Sequence, residues 1–207
     1  MLWGAHRLGV QVREGAGVSG YLSAKVGRGL STKLNGRREV NDFYPTPEKA
    51  TRALLSVEQF SIPIWEPACG DGAMSKVLDS AGHTVRSTDL IYRGYGESAR
   101  DFLLESESWP HDIITNPPFK LADEFARHAL QLGCRKLALF ARLCWLEGDR
   151  RHRTLWSVNP PSRVWVFSKR LTLWRGDDEN AQTSGGAIAF AWYVWERGHS
   201  GPTIGWI

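Results

Sequence analysis

The stretch that decides the fold is Ile62-Pro63-Ile64-Trp65-Glu66-Pro67-Ala68-Cys69-Gly70-Asp71-Gly72. A short apolar run ends in an acid and a glycine-rich turn, and Met74, Val77 and Leu78 then recur at helical spacing. That is a strand, a tight turn and a helix. Glycines in such a turn let a backbone approach a bound molecule closely, and the turn lies where open parallel sheets hold their ligands. The turn lacks GxGxxG and also lacks the GK[ST] of a phosphate-binding loop, which disfavours a pyrophosphate ligand.

Working outward, the same alternation continues. Residues 83–90 are rich in β-branched side chains and close on a second acid, Asp89, while Asp101-Phe102 follows one unit later. Residues 112–115 read as a strand that stops at Asn116-Pro117-Pro118-Phe119. Residues 120–132 read as a helix with Leu121, Phe125 and Ala129 on one face, and residues 136–141 as another strand. Upstream, Pro47 suits a first helical position, with Ala50, Leu54 and Val57 spaced behind it. Downstream, residues 163–168 and 187–195 read as longer strands, the second aromatic, separated by a polar loop at 176–186. Strands alternating with helices predict an α/β fold, a mainly parallel sheet covered on both faces. Seven of the ten tryptophans follow residue 140, and most of them are expected to pack between layers.

Two elements carry chemistry. The exocyclic amine of adenine or cytosine is a poor nucleophile because its lone pair is delocalised into the ring. An amide oxygen from Asn116 and a carbonyl held rigid by Pro117 and Pro118 would accept both amino hydrogens and free that lone pair. Phe119 would offer a stacking face to a base taken out of its helix. Asn-Pro is also a common turn dipeptide, so the motif alone admits a plain turn. Asp89 is placed to accept ribose hydroxyls, and Asp101 with Phe102 would suit an adenine amine and its ring. Acids at successive strand ends followed by Asn-Pro-Pro-Phe are hard to attribute to chance.

Together these motifs resemble a known family. Residues 66–72 are similar to the cofactor motif of class I S-adenosylmethionine-dependent methyltransferases. Residues 116–119 resemble the catalytic motif of amino-group DNA methyltransferases, the adenine-N6 type of phages and prophages in particular. Asp42-Phe43-Tyr44-Pro45-Thr46-Pro47 resembles the segment that precedes the first strand there, and residues 142–151 and 191–195 resemble further stretches. The resemblance covers about residues 41–207 and implies a Rossmann-like sheet with an antiparallel C-terminal strand. It also implies roles. Glu66, Pro67 and the Gly70 and Gly72 backbone would hold the methionine part of the cofactor, and Asp89 the ribose. Asp101 and Phe102 would contact its adenine, with Tyr44 and Thr46 closing the pocket. Asn116 and Pro117 would bind the target amine and Phe119 the flipped base, without a metal. Cytosine-N4, RNA or protein-glutamine methylation remain alternatives, as does a DNA-binding module without catalysis. Asn rather than Ser at position 116 disfavours the first.

Charge bears on the partner. The chain of 207 residues carries a formal +4. Residues 1–40 hold seven Lys/Arg against Glu14 and Glu39, and eight glycines, whereas the rest is close to neutral. That segment reads as a flexible basic arm, or as sequence upstream of a later start. Within the remainder, Arg150, Arg151 and Arg153 form a basic cluster suited to DNA phosphates or, equally, to a solvated helix end. Only 91 residues follow Asn116, too few for a large target-recognition region. Three cysteines with no CxxC pair, and scattered histidines, predict reduced thiols and no metal site. Without an apolar run of membrane length or a secretory stretch at its start, the chain reads as soluble and cytoplasmic.

Overall fold

A computed structural model describes residues 43–173, 188–199 and 201–207. The arm read at residues 1–40, the loop at 176–186 and Trp174 lie outside the described residues.

Seven strands form one sheet: β1 (Ile64–Glu66), β2 (Val85–Ser87), β3 (Asp112–Thr115), β4 (Lys136–Arg142), β5 (Arg163–Val166), β6 (Phe190–Glu196) and β7 (Thr203–Trp206). Their order is β2-β1-β3-β4-β6-β5-β7. β2, β1, β3 and β4 pair in parallel, β6 runs antiparallel to both β4 and β5, and β5 pairs in parallel with β7. Among the described strands β6 is thus the one reversed strand. This is the α/β, Rossmann-like arrangement expected from the sequence.

Both faces are covered, and the central strands β3, β4 and β6 are buried at almost every position. Phe190, Trp192 and Val194 of β6 point to one face with Ala138 and Phe140 of β4. There they meet Ala50 and Leu54 of α1 (Glu48–Val57) and Met74 and Leu78 of α2 (Ala73–Ser80). The alternate residues, Ala191, Tyr193 and Trp195 with Leu137, Leu139 and Ala141, face Phe125, Ala126 and Ala129 of α3 (Ala122–Gln131). Period-two alternation in which both sets are buried is what a doubly covered sheet requires. Tryptophans fill these layers as expected: Trp145, Trp192 and Trp195 are buried, and the Trp192 indole N–H donates to the Ala50 carbonyl at 3.0 Å.

Several boundaries differ from the sequence reading. Residues 83–90 supply a strand only at Val85–Ser87. Beyond it the chain folds back, with Asp89 N–H donating to the Glu97 carbonyl and Glu97 N–H to that of Ser87. Asp89 therefore stands just past β2, and Asp101 at no strand end; it precedes a 3₁₀ turn, Phe102–Leu104, and its carboxylate accepts from Leu103 N–H. Pro47 is the residue before α1 rather than its first, and Val57 at the far end is 38% exposed. The helix after Asn-Pro-Pro-Phe begins with a 3₁₀ turn, Phe119–Leu121. Edge strand β7 had no alternating signal: Ile204 and Trp206 are both exposed.

At the end of the sheet away from the β1 and β3 turns, six charges interlock. Glu58 accepts from Lys136 Nζ at 2.8 Å, from Arg163 and from the Trp165 indole, while Glu196 binds Arg163 and Lys136 and Asp112 binds Arg135. Burial would raise the Glu58 carboxyl, but hydrogen bonds from Arg163, Lys136 and Trp165 prevail and hold it below the usual range.

Candidate active site

The loops at the carboxyl ends of β1, β2 and β3 and the segment before α1 enclose a cavity of about 500 Å³. Tyr44, Thr46, Glu66, Pro67, Asp89, Asp101, Phe102, Asn116, Pro118 and Phe119 all line it. Residues spread over 76 positions of sequence are thus brought to one opening, where an open α/β sheet holds its ligands.

Asn116 is the best defined of them. Its amide nitrogen donates to the Tyr44 carbonyl and to Thr46 Oγ, both at 3.0 Å. A backbone carbonyl can only accept, so the amide's orientation is dictated by its partner. Both amide hydrogens are spent, and Oδ1 is left as the acceptor for a donor from elsewhere. Phe119, one 3₁₀ turn on, stacks on Tyr44 with ring centres 5.9 Å apart and meets Phe190 at 5.9 Å. Pro117 is buried beside the cavity without lining it.

Glu66 ends β1 with only 2% of its surface exposed. It accepts a short hydrogen bond from Ser75 Oγ, which in turn contacts Ser87 Oγ at 2.6 Å. Burial pushes the Glu66 carboxyl up to about 8, against the Ser75 hydrogen bonds, and the nearby Asp71 and Asp89 carboxylates add to the rise. The Asp89 carboxylate is oriented by the backbone: Gly70 N–H donates to one oxygen and Ile91 N–H to the other, each at 2.8 Å. Each oxygen keeps a further lone pair for an incoming hydroxyl.

The glycines act at one remove. Gly70 and Gly72 have φ of 56° and 80° and do not line the cavity. A Cβ on Gly70 would fall on the Phe43 ring, and one on Gly72 on the Tyr95 ring. Their smallness lets two aromatic residues close over the turn, and the Gly70 N–H aims Asp89. Phe102 borders the cavity but is mainly core, 2% exposed against Trp65, Phe125 and His128.

The arginine cluster divides. Arg151 is tied to Asp123 at 2.6 Å and to the carbonyls of Trp145 and Glu147. Asp123 also accepts from the Trp145 indole and from Arg150, so it anchors the segment after β4 to the start of α3. Burial would raise Asp123, but Arg151 and Trp145 outweigh it and lower its carboxyl. Arg150 and Arg153 project into solvent, at 74% and 68% side-chain exposure. None of the three lines the cavity.

Sequence reasoning missed Phe43, Arg93, Lys120 and Arg142. Arg93 covers the Phe43 ring at 4.1 Å and Arg142 the Phe119 ring at 4.9 Å, while Arg93 and Lys120 also border the cavity. Phe43 stood next to a named residue, whereas Arg93 lies in a loop, Lys120 in a 3₁₀ turn and Arg142 at the last position of β4, where no periodicity marks them. Among the described residues no three His, Cys, Asp or Glu side chains gather as a metal site would need. No helix there is long and apolar enough to cross a membrane.

The architecture is that of solved Rossmann-like methyltransferases. A candidate RNA methyltransferase from Pyrococcus horikoshii superposes with a TM-score of 0.55, at 16% identity over 78% of this chain and 91% of its own. The 23S rRNA methyltransferase ErmE superposes with a TM-score of 0.50, at 14% identity over 76% and 70%. At such identities the likeness is one of fold. No known family profile matches the sequence, and no curated protein matches it.

Proposed function

We propose that this protein is an S-adenosylmethionine-dependent DNA methyltransferase of the phage type that acts on the exocyclic N6 amine of a flipped adenine. The observation that carries the reading is the orientation of Asn116, whose oxygen is left for an amino donor by two hydrogen bonds on its nitrogen. The choice of DNA and of adenine rests on the resemblance of residues 42–47, 66–72, 116–119 and 191–195 to that family.

The cavity suits the cofactor chemically. Asp89 presents two oriented oxygens to vicinal hydroxyls, Phe102 and Ile91 give apolar surface for a ring, and Asp101 lies beside them. Glu66, buried and reluctant to ionise alone, would be relieved by a neighbouring ammonium. When bound, S-adenosylmethionine supplies a methyl group on an activated sulfonium. The chain's own task is positioning. Asn116 Oδ1 and the Pro117 carbonyl accept hydrogen bonds from the two amino hydrogens and localise the lone pair on nitrogen, and the methylated nitrogen then releases one proton to solvent. Phe119 stacks on the base, and Tyr44 with Thr46 keeps Asn116 from turning. Fixing the amine in line is worth several kcal/mol of barrier in general, up to about 7–11 for well-oriented reactants.

The test is expression in a host lacking adenine methylation, followed by modification-sensitive sequencing of its DNA. Modified adenines in the wild type that vanish in Asn116→Ala are expected, with cofactor binding retained in the variant. Unmodified DNA, despite soluble protein that binds the cofactor, would overturn the DNA reading in favour of RNA or a protein amide.

A further inference from the structure

Arg142 is a cation beside the catalytic turn that methyl transfer itself leaves unused. It ends β4, opposite Phe190 of β6. The Tyr193 hydroxyl donates to its carbonyl at 3.0 Å and to that of Leu143 at 3.2 Å, and Leu143 N–H donates to the Ala189 carbonyl. Two strands and a buried tyrosine therefore fix the point from which the side chain leaves. Its guanidinium then lies on the Phe119 ring, 4.9 Å from the centre.

What distinguishes Arg142 is what it lacks. Arg100, Arg135, Arg151 and Arg163 each close on a carboxylate. Arg142 pairs with no carboxylate among the described residues, and its buried Nε has no hydrogen-bond partner. Arg86 and Arg93 also pair with no carboxylate among the described residues, and Arg100 and Arg135 also leave a buried Nε without a partner, but Arg142 combines the two. Beside a binding turn, a guanidinium with neither kind of partner is suited to an anion from outside the chain. A guanidinium over an aromatic ring keeps its charge, and its planar array of N–H donors matches the oxygens of a phosphate. Arg142 does not line the 500 Å³ cavity and reaches it only through Phe119. Its ligand is then part of the substrate rather than of the cofactor.

We propose that Arg142 binds a phosphodiester adjoining the target nucleotide, so that the 116–119 turn takes the base and the guanidinium beside Phe119 takes the backbone. This rests on the reading above, that the substrate is a polynucleotide. The placement makes Arg142 a substrate-capturing residue supported from below by β4 and β6, with no part in activating the amine.

The experiment compares wild type with Arg142→Gln and Arg142→Lys on the oligonucleotide duplex identified by sequencing. Thermal shift by S-adenosylmethionine confirms an intact fold and cofactor site in each variant. For Arg142→Gln a KM increase of roughly 10- to 100-fold is expected with kcat little changed. The slope of log binding constant against log salt should fall in magnitude by about 0.9, the share of one phosphate. Arg142→Lys should keep the slope and recover part of KM. A methylphosphonate at the contacted linkage should weaken wild type and leave Arg142→Gln unaffected. A wild-type salt slope in Arg142→Gln, or a loss confined to kcat, would overturn the assignment and leave Arg142 a support for Phe119. Wild-type protein that modifies no polynucleotide would instead remove the reading on which the assignment rests.

Discussion

Replacing Glu66 with Gln should abolish a specific dependence of stability on pH. The folded protein holds the Glu66 carboxyl at about 8, against 4.5 for the free group, chiefly because burial penalises the charge. Between those values the folded state binds a proton that the unfolded chain has released. The stabilisation is complete below about 4.5 and is lost as pH rises through 8. At 1.36 kcal/mol per unit, the cofactor-free protein should lose about 2.5 kcal/mol from this group between pH 6 and pH 9. For a domain of this size that corresponds to roughly 5–10 °C in Tm. Gln keeps the shape and can still accept from Ser75 but cannot ionise. The measurement is calorimetry or urea unfolding of both proteins at pH 6, 7.5 and 9. All other groups are common to the two proteins and cancel in the difference. Wild type and Glu66→Gln losing stability in parallel would refute the argument.

Two further substitutions probe the frame. Gly72→Ala should cost about 2 kcal/mol or more by denaturant titration, because φ is 80° and the added Cβ falls on the Tyr95 ring. An unchanged midpoint would show that the 67–72 turn is slack. Glu58→Ala strips a carboxylate from Lys136, itself 4% exposed, and from Arg163 and the Trp165 indole. A loss of about 3–5 kcal/mol is expected in urea at pH 7. Glu58 is held below its ordinary value, so its contribution should be present above pH 4.5 and fade as pH falls further.

How much could be read from the chain follows from how each residue is determined. The buried strands β3, β4 and β6 were legible because burial on both faces demands a continuous apolar run, and the two motif turns because chemistry restricts their composition. Asp89 was recognisable as an acid near a strand end, but its orientation depends on Gly70 and Ile91 N–H groups that no pattern announces. The surroundings of Phe102 were equally hidden: its neighbours Trp65 and Phe125 come from β1 and α3. Arg150, Arg151 and Arg153 look alike in sequence, yet Asp123, 28 positions from Arg151, draws that one inward and leaves Arg153 in solvent. β7 is exposed on both faces and so left no periodic trace. Long-range partners, more than local propensity, were the missing information.

The two hydrogen bonds on the Asn116 nitrogen have an evolutionary consequence. Aspartate at position 116 would set a carboxylate against the Tyr44 carbonyl with no donor between them, although the Thr46 hydroxyl could turn and donate to it. Serine would fall short of both. The identity of residue 116 is therefore constrained from behind as well as by the amine in front. Position 116 and the segment 44–46 should change together or not at all, and exchanging the motif's first residue without that segment should loosen the wall of the cavity.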